Sequence, residues 1–393
     1  MKGDFRSKSF NYFQPTEIRF GTGRLKELGQ VTKRFGQKCL LVTVPIFPEF
    51  EMTFARAQAS LKEAGVEVAH FDGVIPNPTV DVVSQGAELA RKSGAEVVIG
   101  LGGGSSMDTA KAIAVEATHP GSCWDYLYFR ETQPTEKTLP IIAVPTTSGT
   151  GSHVTQVAVV TNTAERNKSA LYNSILYPKV AIVDPELMLT MPPEITAATG
   201  FDAFTHAFES YINPNGSPYT DLLAAEAIRI IVQTLPEAVQ DGQNIEYRIR
   251  MAWADTLAGL SIANAGVTLP HGIAMAMSGL YPHIAHGQAL ASVYPAIVRF
   301  SWKYAPEKFA FLGRQLRPEE KDLSDEAAAM MAVEALEAFL QAIGLRKSLK
   351  ELGVPENELD LLAERSLVLP DYKSHPYVVN LEEVRKLLEE SYE

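Results

Sequence analysis

The sequence predicts an α/β domain with a mainly parallel sheet over residues 1–185, followed by an all-α domain over residues 186–393. Three observations carry that division. The length, 393 residues, is about 2.6 times the ~150 residues of an average domain, so two domains fit better than one or three. Up to residue 184, short β-rich runs alternate with amphipathic helical stretches. Beyond the Asp184-Pro185 pair the β signal fades and apolar residues recur at helical spacing.

The β-rich runs are 38–43 (KCLLVT), 66–71 (VEVAHF), 96–100 (EVVIG), 139–144 (LPIIAV) and 180–184 (VAIVD). Between them, 53–64 places Phe54, Ala57, Leu61 and Ala64 at helical spacing, and 80–93 also reads as a helix. Such alternation implies a largely parallel sheet, because parallel neighbours need a crossover element between them. Residues 75–78 (IPNP) form a stiff turn ahead of the second of these helices. In the second half, 196–211, 219–234, 245–263, 325–343 and 381–390 read as helices.

Composition excludes several classes. Hydrophobic residues at 46% and charged residues at 21% are those of an ordinary globular protein, not of a disordered chain. A net charge of −12 opposes binding to phosphate backbones, so no nucleic-acid partner is expected. Cys39 and Cys123 make no Cys-x-x-Cys and too few pairs for a disulfide framework, and the first 14 residues have no apolar core of signal-peptide length. A cytoplasmic enzyme or binder of small molecules is the expectation. Residues 256–298 contain no Asp, Glu, Lys or Arg, yet Asn264, Gly266, Pro270, His271, Pro282, His283, His286 and Gln288 interrupt them. They read as interior helices of a domain, not as a membrane span.

Three constellations carry chemistry. Residues 97–114 (VVIGLGGGSSMDTAKAIA) run from a buried strand through Gly102, Gly103 and Gly104 to Ser105, Ser106 and a helix. Glycines admit close backbone approach and a helix N-terminus attracts anions, which makes a phosphate cradle; a plain strand-to-helix turn is the competing reading. The spacing is neither G-x-G-x-x-G nor a P-loop. Residues 143–155 (AVPTTSGTGSHVT) offer Thr146, Thr147, Ser148 and Thr150 among glycines, fit for a phosphate or ribose, or simply a Ser/Gly loop. In 200–209 (GFDAFTHAFE), Asp202 and His206 lie four apart on one helix face, while His271 and His286 lie inside the chargeless stretch. Together they make three imidazoles and one carboxylate, a set suited to Fe(II) or Zn(II) and not to Ca or Mg. His283 competes with His286 for the fourth place. His70, His119 and His375 have surface-like contexts and receive no role.

These motifs resemble the iron-containing (group III) alcohol dehydrogenase family, of the glycerol dehydrogenase and dehydroquinate synthase-like fold. The resemblance rests on IRFGTGRLKELG, GGGSSMDTAK, PTTSGTGSHVT, VDPELMLTMPP, GFDAFTHAFES, and PHGIAMAM followed by HGQALA, in that order along nearly the whole chain. It implies a Rossmann-like dinucleotide-binding first domain, a helical metal-binding second domain, and reversible hydride transfer between an alcohol or aldehyde and NAD or NADP. It implies the metal ligands Asp202, His206, His271 and His286, the last because His-Gly followed by small residues is the family pattern, and Fe2+ as the metal with Zn2+ the alternative. It places Gly103, Gly104, Ser105 and Ser106 on the pyrophosphate loop with Asp108 behind it, Thr146, Thr147 and Thr150 on the second cofactor loop, and Lys168 near the cofactor. A homodimer or larger homo-oligomer is implied as well. A zinc polyol dehydrogenase of the same fold and a noncatalytic nucleotide-binding protein are the alternatives.

The chain departs from the family pattern at three positions. Val44 stands where an acidic residue often follows the LLVT strand, Met275 where a further histidine often follows His271 by four, and His153 where the second loop usually has Glu. Phe201, Phe204 and Met275 are candidates for shaping the pocket, with core packing their plainer role. Lacking a carboxylate at Val44 to repel a 2′-phosphate, the site is expected to use both NAD(H) and NADP(H). Val44→Asp is expected to shift kcat/KM toward NAD(H) by a like-charge penalty of about 1–3 kcal/mol, on the order of 10- to 100-fold. A parent already strict for NAD(H), and unchanged by the substitution, places the discriminating contact elsewhere.

Overall fold

The computed structural model describes residues 9–393. The reading of the N-terminal segment falls partly on residues 1–8, which lie outside the described residues.

One compact unit comprises Gln14–Met191 and Gly242–Ala252. Its elements are β1 (Glu17–Phe20), α1 (Leu28–Lys33), β2 (Lys38–Val42), α2 (Pro48–Glu63), β3 (Glu67–Phe71), α3 (Val80–Ser93), β4 (Val97–Gly102), α4 (Gly104–Glu116), β5 (Ile141–Pro145), β6 (Val157–Asn162), β7 (Asn167–Tyr172) and β8 (Val180–Val183). Six strands form a wholly parallel sheet in the order β1-β8-β5-β4-β2-β3, and β6 and β7 form a separate antiparallel pair. Successive side chains of a strand point to opposite faces, so each strand serves two cores. On β2, Leu40 and Val42 pack with Val83, Ala110 and Ile113 from α3 and α4; Cys39 and Leu41 pack with Val31, Ala57 and Leu61 from α1 and α2. Near-continuous apolar runs such as VVIG and IIAV are the consequence of burial on both faces.

The order of strands reverses at β2. From β2 the chain goes to β3 on one side, then crosses to β4 on the other and continues to β5. At such a switch point, the loops leaving the carboxyl ends of the two flanking strands diverge and leave a crevice. Here those loops begin at Thr43 after β2 and at Gly103 after β4, whose strands pair through Leu41 and Ile99, and Val42 and Gly100.

The other unit comprises the segment ending at Phe13, Pro192–Asp241 and Trp253–Glu393. It contains α5 (Pro193–Ile212), α6 (Pro218–Gln240), most of α7 (Ile245–Ala265), α8 (Leu269–Leu280), α9 (His286–Ser301), α10 (Pro306–Leu316), α11 (Asp325–Ala342), α12 (Leu359–Ser366) and α13 (Leu381–Glu390). Helix α5 is buried almost all round and packs on α6 and α9. The chargeless stretch 256–298 forms the end of α7, α8 and most of α9, so its lack of charge reflects interior helices.

The units part at Met191, beyond the expected boundary after residue 185. The turn that follows β8 still belongs to the sheet: Leu187 is buried in its core, and the Asp184 carboxylate accepts from the Gly23 and Leu25 amides at 3.1 and 3.0 Å.

Helix α4 is strapped down by charge as well as by apolar contact. Lys111, fully buried, donates through Nζ to the carbonyls of Ser152 (2.7 Å), Thr155 (2.9 Å) and Val157 (2.7 Å) and to Ser152 Oγ (2.9 Å). Ser152 Oγ in turn donates to Asp108 Oδ1 at 2.6 Å, and the Val159 amide to Asp108 Oδ2 at 3.1 Å. Burial pulls the lysine down to about 8 against the pull of Asp108, and it pushes the aspartate up. Lys111→Met leaves those carbonyls and a buried carboxylate without their cation. It is expected to cost about 3–5 kcal/mol, read from the urea midpoint at unchanged slope; an unmoved midpoint refutes the strap.

Candidate metal centre and nucleotide loops

Helix α5 carries two stripes. Phe201, Phe204 and Phe208 form one, their rings stacked at centroid distances of 5.4 and 6.2 Å, with Tyr294 of α9 edge-on to Phe201 at 5.6 Å and Phe309 of α10 edge-on to Phe208 at 5.2 Å. Asp202, His206 and Glu209, spaced four and three apart, form the other. The two core phenylalanines among the pocket candidates, Phe201 and Phe204, are fully buried.

Three imidazoles surround the Asp202 carboxylate. Nε2 of His206 lies 3.6 Å from Oδ1, Nε2 of His271 3.6 Å, and Nε2 of His286 3.8 Å. The ligand atoms of Asp202, His271 and His286 all fall within 4.8 Å of one another. His206 stacks its ring on His271 at 4.7 Å and approaches the same oxygen from the flank. His271 sits in the first turn of α8 and His286 opens α9, so two helix starts deliver the outer nitrogens.

The electrostatics are governed by attraction between buried carboxylates and the imidazoles. Burial opposes the charge on Asp202, but His206, His271 and His286 outweigh it and hold the carboxyl well below its usual range. Burial likewise opposes charge on His271, yet Glu209 and Asp202 on its two sides push it up to about 10. Asp202 Oδ1 and His271 Nε2 are buried and have no hydrogen-bond partner among the described residues. Native proteins seldom leave such atoms unsatisfied.

Glu209, which the sequence did not single out, lies directly beside this cluster. Its Oε1 lies 2.7 Å from His271 Nδ1, and its Oε2 accepts from the amide and hydroxyl of Thr268 at 2.7 and 3.2 Å. The available signal was its helical phase, three residues after His206 on the Asp202 stripe.

In the α/β unit, the loops after β4 and β5 interlock. Gly102 has φ +149°, a conformation reserved for glycine, and the Thr146 amide donates to its carbonyl at 2.9 Å. A Cβ on Gly104 would lie 2.5 Å from the Thr150 methyl carbon, so only glycine lets the start of α4 meet this loop. No side chain caps α4, whose N-terminus follows Gly103. Thr147 Oγ1 and Ser106 Oγ are buried without a hydrogen-bond partner among the described residues. Gly103, Gly104, Ser105, Ser106, Thr146, Thr147 and Thr150 are thus brought together, and Val44 follows the neighbouring strand β2. Asp108 is behind them and committed to Ser152 and Val159, while Lys168 on β7 donates to Asn77 Oδ1 at 2.8 Å.

Comparison with known proteins bears on the same two regions. The profile for iron-containing alcohol dehydrogenases matches residues 15–185, and that for the C-terminal region of the Fe-containing alcohol dehydrogenase family matches residues 196–392. The chain belongs to the iron-containing alcohol dehydrogenase family. It is similar to the 1,3-propanediol dehydrogenase of Citrobacter freundii, with 36% identity over 98% of this chain and 99% of that one, and to the NAD-dependent methanol dehydrogenase of Bacillus methanolicus, with 34% identity over 96% and 98%. Among solved structures, an archaeal halo-thermophilic alcohol dehydrogenase from a Red Sea brine pool superposes with a TM-score of 0.92 at 40% identity, covering 98% of this chain and 99% of that one. As a member of this family the chain is a metal-dependent oxidoreductase acting on alcohols or the corresponding aldehydes. No helix among the described residues is long and apolar enough to cross a membrane.

Within this iron-containing alcohol dehydrogenase, the histidines sort cleanly. His283 is exposed and its Nε2 meets the Leu352 carbonyl at 3.2 Å. The surface-like setting expected for three others is corrected. His70 and His119 are half-buried, with ring nitrogens 2.8 Å from Thr43 Oγ1 and 2.9 Å from Thr135 Oγ1. His375 is buried, with Nε2 2.7 Å from Ser301 Oγ and Nδ1 3.2 Å from Thr268 Oγ1. The local polar sequence around it (DYKSHPY) gave no hint that this short turn packs into the helical core.

Burial holds His375 down to about 3 from an ordinary 6.5. The sign follows: the unfolded chain binds a proton below 6.5 that the fold refuses, so stability is intact above that pH and is lost as pH falls toward 3. Between about pH 7 and about pH 5 the parent is expected to lose about 2 kcal/mol that His375→Gln does not lose. Parallel urea titrations of the two proteins check this, and identical pH slopes refute it.

Proposed function

We propose that the helical unit holds one divalent metal, Fe2+ or Zn2+, on Asp202, His206, His271 and His286, and that the α/β unit binds NAD or NADP. The activity proposed is reversible hydride transfer between a small alcohol and the nicotinamide. One observation carries the reading: three imidazole nitrogens converge on a buried carboxylate oxygen that has no hydrogen-bond partner among the described residues. The donor set, three nitrogens and one oxygen, suits a first-row divalent ion. When bound, the metal would supply Lewis acidity toward an alcohol or carbonyl oxygen, and the dinucleotide would accept or deliver the hydride.

The chain's own residues do the rest. Asp202 offsets part of the ion's charge, and the imidazoles present neutral nitrogens without adding further negative charge. Gly103 and Gly104 allow a pyrophosphate to approach the start of α4, where the helix dipole favours an anion. The hydroxyls of Thr146, Thr147 and Thr150 are suited to its oxygens or to a ribose. Asp108 and Lys168 act behind this surface through Ser152 and Asn77. Val44 offers no charge against a 2′-phosphate, and the name of the methanol dehydrogenase relative supports NAD. With Met275 one turn after His271, a proton would leave through water or the cofactor ribose. The same reading includes a homodimer or larger assembly and a cytoplasmic setting, which the free, buried Cys39 and Cys123 fit.

Zinc in the same four ligands is the second reading, favoured by the tetrahedral habit of that ion with nitrogen and oxygen donors. Metal analysis of protein purified without added metal decides between them. His271→Ala is expected to lose metal and turnover together while NADH binding, followed by fluorescence titration, largely survives. His286→Ala is expected to lose metal, and His283→Ala, at an exposed position whose imidazole meets the Leu352 carbonyl, to keep both metal and turnover. Full turnover after chelation, with metal shown absent, refutes the reading.

A further inference from the structure

Glu209 is fully buried and touches His271 on the side away from Asp202. A deprotonated carboxylate only accepts hydrogen bonds. Its two oxygens are engaged by the Thr268 amide, the Thr268 hydroxyl and His271 Nδ1. The Thr268 amide is a donor that cannot change character, and it opens α8, the helix that carries His271. His271 Nδ1 must therefore carry a proton, and Nε2 is the nitrogen that faces Asp202 and becomes the ligand atom once a metal displaces its own proton.

The far side of Glu209 is braced in the same sense. Thr268 Oγ1, donating to Glu209, accepts from His375 Nδ1 at 3.2 Å, and His375 Nε2 accepts from Ser301 Oγ at 2.7 Å. Every donor in this buried chain points toward Glu209.

We infer that Glu209 is a positioning residue for the metal centre, fixing His271 as the Nδ1–H tautomer so that Nε2 is the ligand atom. This rests on the reading of His271 as a ligand. A glutamine at 209 has the same shape and one acceptor oxygen instead of two. That oxygen goes to the invariable Thr268 amide, which turns the NH2 group toward His271 Nδ1. The imidazole then accepts at Nδ1 and carries its proton on Nε2, where the metal should bind.

Glu209→Gln is tested by titrating the chelated full-length protein with Co2+ and Zn2+ against a competing chelator, and by recording the visible bands of the Co2+ form. The expected result is a Kd raised roughly 10- to 100-fold with altered Co2+ bands, while the urea midpoint of the metal-free protein moves little. Equal affinity and an unchanged Co2+ spectrum in parent and variant overturn the inference and leave the metal site standing. A parent that binds neither ion overturns both. Should the variant not fold, the parent decides: with [15N]histidine label, Zn2+ loading and His271→Gln for assignment, His271 is expected to show a proton on Nδ1 and none on Nε2. A proton on Nε2, or metal on Nδ1, overturns the inference.

Discussion

An ionised carboxylate inside a helical core is the constraint around which the second half of this protein is organised. Removing a carboxylate from water costs several kcal/mol even after relaxation, and only opposite charge or good hydrogen bonds offset it. Asp202 is 5% exposed. The surroundings answer with nitrogen: His206 from its own helix, His271 from the first turn of α8 and His286 from the first residue of α9. Those placements require three helices to converge at fixed phase, and the phenyl stripe on α5 supplies the packing that holds the phase. Electrostatic need and apolar packing thus act on opposite faces of one helix.

In the α/β unit the organising device is topological. Reversal of strand order at β2 opens the carboxyl ends of β2 and β4, and the next strand, β5, brings its hydroxyl-rich loop beside the glycines. Lys111 and Asp108 are chemically suggestive in the sequence, yet both are spent inside, holding α4 against the segment that leads into β6. Their contribution is to fix the start of α4 against this segment.

Much of this was legible in the sequence, for identifiable reasons. Four strands, β2, β4, β5 and β8, are runs buried on two faces and stand out as continuous apolar segments, while the edge strand β3 (EVAHF), with only Phe71 buried, shows as a β-rich run between helical stretches. Strand β1 escaped because its four residues (EIRF) lie half-exposed at the sheet edge, and the β6–β7 pair because its alternating pattern is short and lies outside the main sheet. Asp202 and His206 were visible as a pair from helical phase alone, whereas joining them to His271 and His286 required unusual histidines in a chargeless stretch. Glu209 and His375 were hidden for a different reason. Their partners are 62 and 107 residues away, and no local pattern encodes such a contact.

The two stripes of α5 make the proposed metal centre a gauge of core packing. A turn of about 20° about the helix axis moves an atom roughly 6 Å from that axis by about 2 Å, whereas metal–ligand distances tolerate only about 0.2 Å. A phenylalanine on the opposite face can thus be altered mildly enough to leave the fold cooperative and still spoil coordination. Within this helix, the freedom of the aromatic core to drift is set by inorganic bond lengths, a far narrower limit than the one that folding alone imposes.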